Sequence, residues 1–277
     1  MHYGRLVLEN QDLLKFPALK SLNIEDWTTR LIRSAAEEQV HGLGSNPAAR
    51  KRCRLGCNAY ENSYHVISAC ITPAYTSRHD YIVYRILKSI MIGTQAPEEI
   101  LAQLKFRKAS IVVEYKWGER DVKIRAGPKI MTDPELHHNR PDIMVILTNP
   151  NIVYVLEIAV AHLQNIRVQE QVKKVRYSKN STEQITHTNY ALVHRDHNLI
   201  EALSNMYKCP AKLAIFIFGA LGEILETEAM QAARKVLSAL GVNHQQLEQL
   251  MELCSLTAAK ESTKIIMRRL NLNSNVQ

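Results

Sequence analysis

Residues 142–160 read Asp-Ile-Met-Val-Ile-Leu-Thr-Asn-Pro-Asn-Ile-Val-Tyr-Val-Leu-Glu-Ile-Ala-Val, from Asp142 to Val160. Two β-branched apolar runs, 142–147 and 152–160, flank the turn signal Thr148-Asn149-Pro150-Asn151, so the stretch predicts a β-hairpin. Pairing symmetric about the Asn149–Pro150 bond sets Leu147 opposite Ile152 and Asp142 opposite Glu157. Opposed residues of an antiparallel pair share a face, which puts the two carboxylates about 5 Å apart at Cβ. Two anions that close in an apolar sheet repel unless a cation lies between them. A slip of one residue would send them to opposite faces, so a metal reading depends on a symmetric loop.

Outward from the hairpin, Arg140-Pro141 precedes Asp142, and Asn165 can cap a helix on the far side of Glu157. Val168, Val172 and Val175 recur at helical spacing as an expected buried stripe, with Glu170, Lys173 and Tyr177 on the adjacent stripe. On that phase Lys173 leans over the sheet beside the carboxylates. Pro-Asp is also a common strand start, a buried glutamate can be salt-bridged, and a lysine-bearing helix is often only solvated. Against this bland alternative, a carboxylate inside Tyr-Val-Leu-Glu-Ile-Ala-Val is costly unless something ligates it. Two carboxylates can hold Mg²⁺ while a nearby ammonium steadies charge on a phosphate, the residue set of a metal-dependent nuclease.

Upstream, Cys53-x3-Cys57-x7-His65-x4-Cys70 places three of the chain's 5 cysteines and a histidine at a spacing that suits tetrahedral Zn²⁺. No signal peptide is visible, and a reducing compartment favours metal over cystine. Cys209 and Cys254 read as small buried hydrophobes. His79, in Arg78-His79-Asp80, follows the fourth ligand and is expected to act locally or on phosphate rather than as a fifth ligand. The other histidines, His137, His138, His187, His194 and His197, lack a metal-site pattern.

A net charge of +8 suits a polyanionic partner. Arg50, Lys51, Arg52 and Arg54 concentrate charge at the cysteine cluster and are candidate nucleic-acid contacts. Lys105, Arg107 and Lys108, extended by Lys116, Arg120, Lys123 and Arg125, form a second basic cluster. Phosphate contacts from such residues would give salt-sensitive affinity without base specificity. The same charge runs also suit a merely solvated face. The longest apolar run, Leu213 to Leu221, is too short to span a membrane.

Asp142, Glu157 in Glu-Ile-Ala-Val, and Lys173 with Tyr177 resemble the PD-(D/E)XK restriction-like endonucleases, in the variant whose lysine has moved to the following helix. The Cys-Cys-His-Cys knuckle followed by Arg-His-Asp narrows the resemblance to the C-terminal region of the Pol polyprotein of site-specific non-LTR (LINE-type) retrotransposons. It covers about residues 25–240. The resemblance implies an α/β fold: a restriction-endonuclease-like mixed sheet flanked by helices, preceded by a small CCHC zinc knuckle and a helical linker. It implies a DNA endonuclease that nicks its target to prime reverse transcription. Asp142 and Glu157, with the Ile158 carbonyl, would hold catalytic Mg²⁺, while Cys53, Cys57, His65 and Cys70 hold structural Zn²⁺. Lys173, or Lys174 one position on, is the catalytic lysine. Expected partners are double-stranded target DNA, element RNA and an upstream reverse transcriptase, in the nucleus. This chain has no Asp-Asp dipeptide, so it lacks the polymerase signature itself.

On this reading, residues 1–47 are a linker with one helix over about Asn23–Val40, and 48–92 are the knuckle with a helix over Tyr81–Ile92. Residues 93–227 are the nuclease core, and 228–277 are C-terminal helices. Glu114 reads as an exposed strand-edge glutamate, with an added metal ligand as the alternative. Helices are expected over Asn198–Met206, Glu228–Leu240 and His244–Leu270, and a buried strand over Lys212–Phe218, ending in the turn Gly219-Ala220-Leu221-Gly222. The competing functions are a non-catalytic zinc-knuckle module that binds DNA or RNA, and a zinc-stabilised interaction domain whose charge is incidental.

Overall fold

The computed structural model describes residues 3–20, 26–37, 40, 52–53, 55–70, 74–105, 110–132, 136, 138–178 and 198–274. The predicted hairpin forms β4 (Ile143–Leu147) and β5 (Ile152–Ala161), paired Leu147↔Ile152 through Ile143↔Leu156. That is the symmetric register. β2 (Ile111–Trp117) and β3 (Arg120–Ala126) form a second hairpin, and β3 pairs antiparallel with β4.

Beyond β5 the chain crosses one face of the sheet through α6 (Ile166–Tyr177) and α7 (Leu199–Tyr207), then returns as β6 (Ala211–Gly219), parallel to β5. Parallel neighbours need such a helical crossover. β6 turns at 219–222, where the Gly222 N–H donates to the Gly219 carbonyl at 3.0 Å. Gly222 has φ +91°, and a Cβ there would lie 2.8 Å from the Ala18 Cβ, so only glycine fits.

The short β7 (Ile224–Leu225) follows, and β1 (Leu14–Lys15) pairs with it at the sheet's edge. The result is a seven-stranded mixed sheet of order β1-β7-β6-β5-β4-β3-β2. The N-terminal segment is thus more than a linker with one helix. Besides β1 it contains α1 (Tyr3–Glu9), α2 (Pro17–Lys20) and α3 (Asp26–Ala36).

Strand alternation sends side chains to opposite faces. Tyr154, Leu156 and Ile158 enter the main core with Phe216 and Phe218 of β6. Over that face lie α4 (Ala74–Gly93), α5 (Glu98–Leu101), α8 (Glu228–Ala239) and the first half of α9 (His244–Ser274). The main core therefore runs from Ile82 to Ala258, and the C-terminal helices share it with the sheet. On the opposite face Val153 and Val155 pack with Tyr177, Leu199 and Leu203. Glu157 is on this second face, beneath α6. The structure is an α/β fold with a mixed sheet flanked by helices and a cysteine-rich cluster near the N-terminus.

Candidate functional sites

Asp142 stands one residue before β4, and continuing the observed register places it across from Glu157. The two are bound through backbone as well as proximity: the Asp142 N–H donates to Glu157 Oε1 at 3.2 Å, and the Ile158 N–H donates to Asp142 Oδ2 at 2.7 Å. Glu157 is 2% exposed, in the interior of the sheet. From α6, Lys173 Nζ donates to Glu157 Oε2 at 2.6 Å and lies 3.9 Å from Asp142 Oδ2. Tyr177, one turn on, hydrogen-bonds the same glutamate. Asp142, Glu157 and Lys173 are thereby brought together. Lys174 is not: it pairs with Glu170 at 2.7 Å and faces a cleft beside β6 with Lys212 and Lys235.

The helix carrying Lys173 is rotated from its expected phase. Ile166, Glu170, Val172 and Tyr177 are its buried residues, whereas Val168 is 52% exposed and Val175 only half-buried. The inward stripe contains Glu170 and Tyr177, and Lys173 reaches the carboxylates from it. Asn165 makes no capping bond with its side chain, which instead donates to the Tyr64 hydroxyl at 2.9 Å. His162 caps the short 3₁₀ turn Leu163–Asn165 that leads into α6.

A fourth member comes from a distant element. His79, near the start of α4, places Nε2 3.2 Å from Asp142 Oδ1 and Nδ1 3.1 Å from Asp80 Oδ1. Burial opposes charge on this imidazole, but the hydrogen bonds to Asp142 and Asp80 outweigh it and raise its pKa to about 9. Burial also acts on both carboxylates, with opposite outcomes. Asp142 is held below the usual range because His79, Lys173 and the Ile158 N–H outweigh its desolvation. Glu157 rises to about 7, through burial first and the neighbouring Asp142 charge second, with Lys173 and Tyr177 opposing. Asp142 is the firm anion of the pair, and Glu157 takes up a proton first as pH falls. Burial, then the carboxylate charges, push the Tyr177 hydroxyl far above its ordinary value, so it remains a neutral donor.

The second site is the cysteine cluster. Ligand atoms of Cys53, Cys57, His65 and Cys70 all lie within 4.8 Å of one another. Cys70 Sγ is 3.6 Å from Cys53 Sγ and 3.8 Å from Cys57 Sγ. Tetrahedral zinc with bonds of about 2.3 Å holds its sulfurs about 3.8 Å apart, so these separations fit. His65 Nε2 is buried without a hydrogen-bond partner among the described residues, as a nitrogen awaiting a ligand would be. None of the five cysteines is in a disulfide. These four residues form a possible metal site consistent with zinc.

Local structure explains how the four converge. The Cys53 N–H donates to the Ala59 carbonyl, and Gly56, at φ +81°, turns the chain between the first two thiols. His65 opens a short π-helix, His65–Ala69, whose first N–H donates to Asn62 Oδ1 at 2.8 Å. The Tyr75 hydroxyl accepts from the Cys70 N–H at 3.1 Å and donates to the Val66 carbonyl at 2.8 Å, fixing the fourth ligand against the π-turn.

The two sites share α4. Arg78, 2% exposed, donates to the Ile67 carbonyl in the π-turn at 2.8 Å and to Ser262 Oγ on α9 at 2.7 Å. The next residue, His79, reaches Asp142. The sequence held the signal for this in Arg78-His79-Asp80, but only tertiary packing shows which site each residue serves.

Of the candidate nucleic-acid contacts, Arg52 donates to Asn58 Oδ1 and lies 5.0 Å from the Tyr60 ring centroid. Arg50, Lys51 and Arg54, with Arg107, Lys108, His137, His187, His194 and His197, lie outside the described residues. The second basic cluster is partly neutralised: Lys116 pairs with Asp121, and Lys123 with Glu114 at 3.0 Å across the β2–β3 pair. Cys254 is fully buried as expected, whereas Cys209 is half-exposed beside the α7 core. Among the described residues, no helix is long and apolar enough to cross a membrane. No family model matches the chain, and neither does any curated protein.

Proposed function

We propose that this chain is a metal-dependent DNA endonuclease of the restriction-like PD-(D/E)XK type, nicking a double-stranded target to prime reverse transcription of a non-LTR retrotransposon. The polymerase would lie upstream in a longer polyprotein, and the site of action would be the nucleus. The single observation that supports this best is the meeting of the Asp142 carboxylate, just before β4, with Glu157 of β5 and Lys173 of α6. The hairpin and the helix after it, which together carry these residues, agree with a restriction-endonuclease-like sheet.

The donor set fits a hard divalent cation. Each carboxylate oxygen has more than one acceptor position, and Asp142 stays ionised at neutral pH. Asp142 and Glu157 would hold Mg²⁺, which when bound supplies Lewis acidity and a water of lowered pKa. The chain's own residues do the rest. The Ile158 N–H fixes the Asp142 carboxylate, and the Asp142 N–H fixes Glu157. The Lys173 ammonium stands between both acids, where it can orient the attacking water and offset charge growing on the phosphate. Tyr177, one turn on from Lys173, holds Glu157 as well. Arg52, beside the zinc-ligand candidates, would contact the DNA backbone.

A second reading is favoured by one observation. Between about pH 7 and about pH 9 the charges of His79 and Lys173 balance those of Asp142 and Glu157 without an added ion. On that reading the chain is a non-catalytic zinc-knuckle module that binds DNA or RNA. A nicking assay on supercoiled plasmid with Mg²⁺ separates the two. Wild type is expected to convert plasmid to open circles, with Asp142→Ala and Lys173→Ala slower by at least about 100-fold. Equal activity in all three would sink the catalytic assignment. DNA or RNA binding that weakens steeply with salt, without cleavage, would instead support the module.

A further inference from the structure

The candidate zinc site has a neighbour that its ligand spacing does not predict. Arg269, on the last turns of α9, is 5% exposed, and its Nη2 donates to Cys70 Sγ at 2.9 Å. The two residues are 199 positions apart in the chain. On its other side Nη1 lies 3.7 Å from Glu61 Oε2, and Glu61 is itself 4% exposed. A guanidinium taken out of water is costly unless charge and acceptors compensate it. Among the described residues the compensation is one carboxylate and one sulfur. Three thiolates and a neutral imidazole around Zn²⁺ carry a net charge of −1, which is also costly to bury. A guanidinium on one of the two buried sulfurs offsets that charge directly, with an N–H pointed at the atom where it resides.

We infer that Arg269 is a positioning residue of the zinc site, donating to the Cys70 sulfur and so stabilising the metal-bound thiolate from outside the ligand set. The inference rests on the zinc reading of Cys53, Cys57, His65 and Cys70. It gives α9 a function beyond covering the sheet: the C-terminal helix completes the charge balance of a site built almost 200 residues earlier. Arg78 supports the same geometry by tying Ile67 to Ser262, two turns before Arg269 on that helix. Outer-sphere partners of this kind commonly account for about 10–100-fold in metal affinity.

The test is competition between the full-length protein and a colorimetric zinc chelator, with circular dichroism to establish folding and Co²⁺ substitution to report on the sulfurs. Wild type is expected to bind one Zn²⁺, and Arg269→Ala to bind it about 10–100-fold more weakly. Arg269→Lys, which keeps the charge and one donor, should recover part of the loss. The sulfur-to-cobalt charge-transfer band should shift in both variants, because a hydrogen bond to a coordinated thiolate has been changed. Glu61→Gln is the control that breaks the ion pair and keeps the N–H···S contact, so its zinc affinity should stay near wild type.

Unchanged affinity and an unshifted band in Arg269→Ala would overturn the inference, as would equal weakening by Glu61→Gln and Arg269→Ala. If Arg269→Ala fails to fold, Arg269→Lys decides by the same two readouts. A wild type that binds neither Zn²⁺ nor Co²⁺ removes the zinc reading as well. A wild type that binds both, with variants indistinguishable from it, removes Arg269 alone.

Discussion

At His79, one side chain links the acid cluster to pH. Its pKa is about 9 in the folded chain against an ordinary 6.5, so folding retains a proton that the unfolded chain releases between those values. The stabilisation is fully present below pH 6.5 and is lost as pH rises through about 9. His79→Gln is therefore expected to destabilise the protein by about 1–2 kcal/mol at pH 6 and by much less at pH 9.5. Urea denaturation at the two pH values, without added Mg²⁺, measures the difference. A penalty that does not change with pH would mean that folding leaves the pKa of the imidazole unshifted. The acid cluster was legible in the sequence only in part. Asp142 and Glu157 could be paired because they belong to one hairpin, whose register follows from its own loop. His79 reaches the same site from a helix more than sixty residues earlier, and no local period announces such a meeting. The Arg-His-Asp triplet was visible as a motif, but Arg78 and His79 serve different sites from adjacent positions.

At the scale of elements, α6 is the instructive case. Its valines suggested one buried stripe, but the structure turns a stripe with Glu170 and Tyr177 inward and leaves Val168 in solvent. Hydrophobic periodicity assumes that the buried face meets apolar surface. This face meets Glu157, so Lys173 and Tyr177 on it bond that carboxylate, while Glu170 pairs with Lys174 and only Ile166 and Val172 supply apolar contact. The phase has a direct test by chemical denaturation. Ile166→Ala, at a position 1% exposed, should cost about 2–4 kcal/mol, while Val168→Ala should stay within about 0.5 kcal/mol. Equal costs would sink the assigned phase. Strands with long β-branched runs, β4, β5 and β6, were legible for the opposite reason: they are buried on both faces or nearly so. β1, two residues long, has no periodicity to read and exists because β7 offers it an edge.

Across the whole molecule, α9 is the member that joins the parts. Its first half contributes Leu247, Leu250, Met251 and Cys254 to the main core on the sheet. Its second half contributes Leu256, Ala259, Ile265 and Ile266 to a separate cluster with Val66 and Ile67 of the π-turn and Ile32 and Ala35 of α3. The candidate zinc site therefore lies under the second half, with Arg269 and Ser262 as polar ties to it. If zinc organises that site, its binding free energy is also folding free energy for the cluster it supports. Removing it with a chelator is expected to lower the melting temperature by several degrees, on the scale of about 2–4 °C per kcal/mol for a chain of this order. The loss should also be uneven. In hydrogen exchange, amides from Ser262 to Leu270 and in the π-turn should lose protection, while those of β4, β5 and β6 keep it, because the main core draws on residues that do not touch the metal site. Re-addition of zinc should restore both. Uniform loss across the sheet and α9 would show one cooperative unit, and no loss anywhere would show that the thiols and His65 hold this region without a metal.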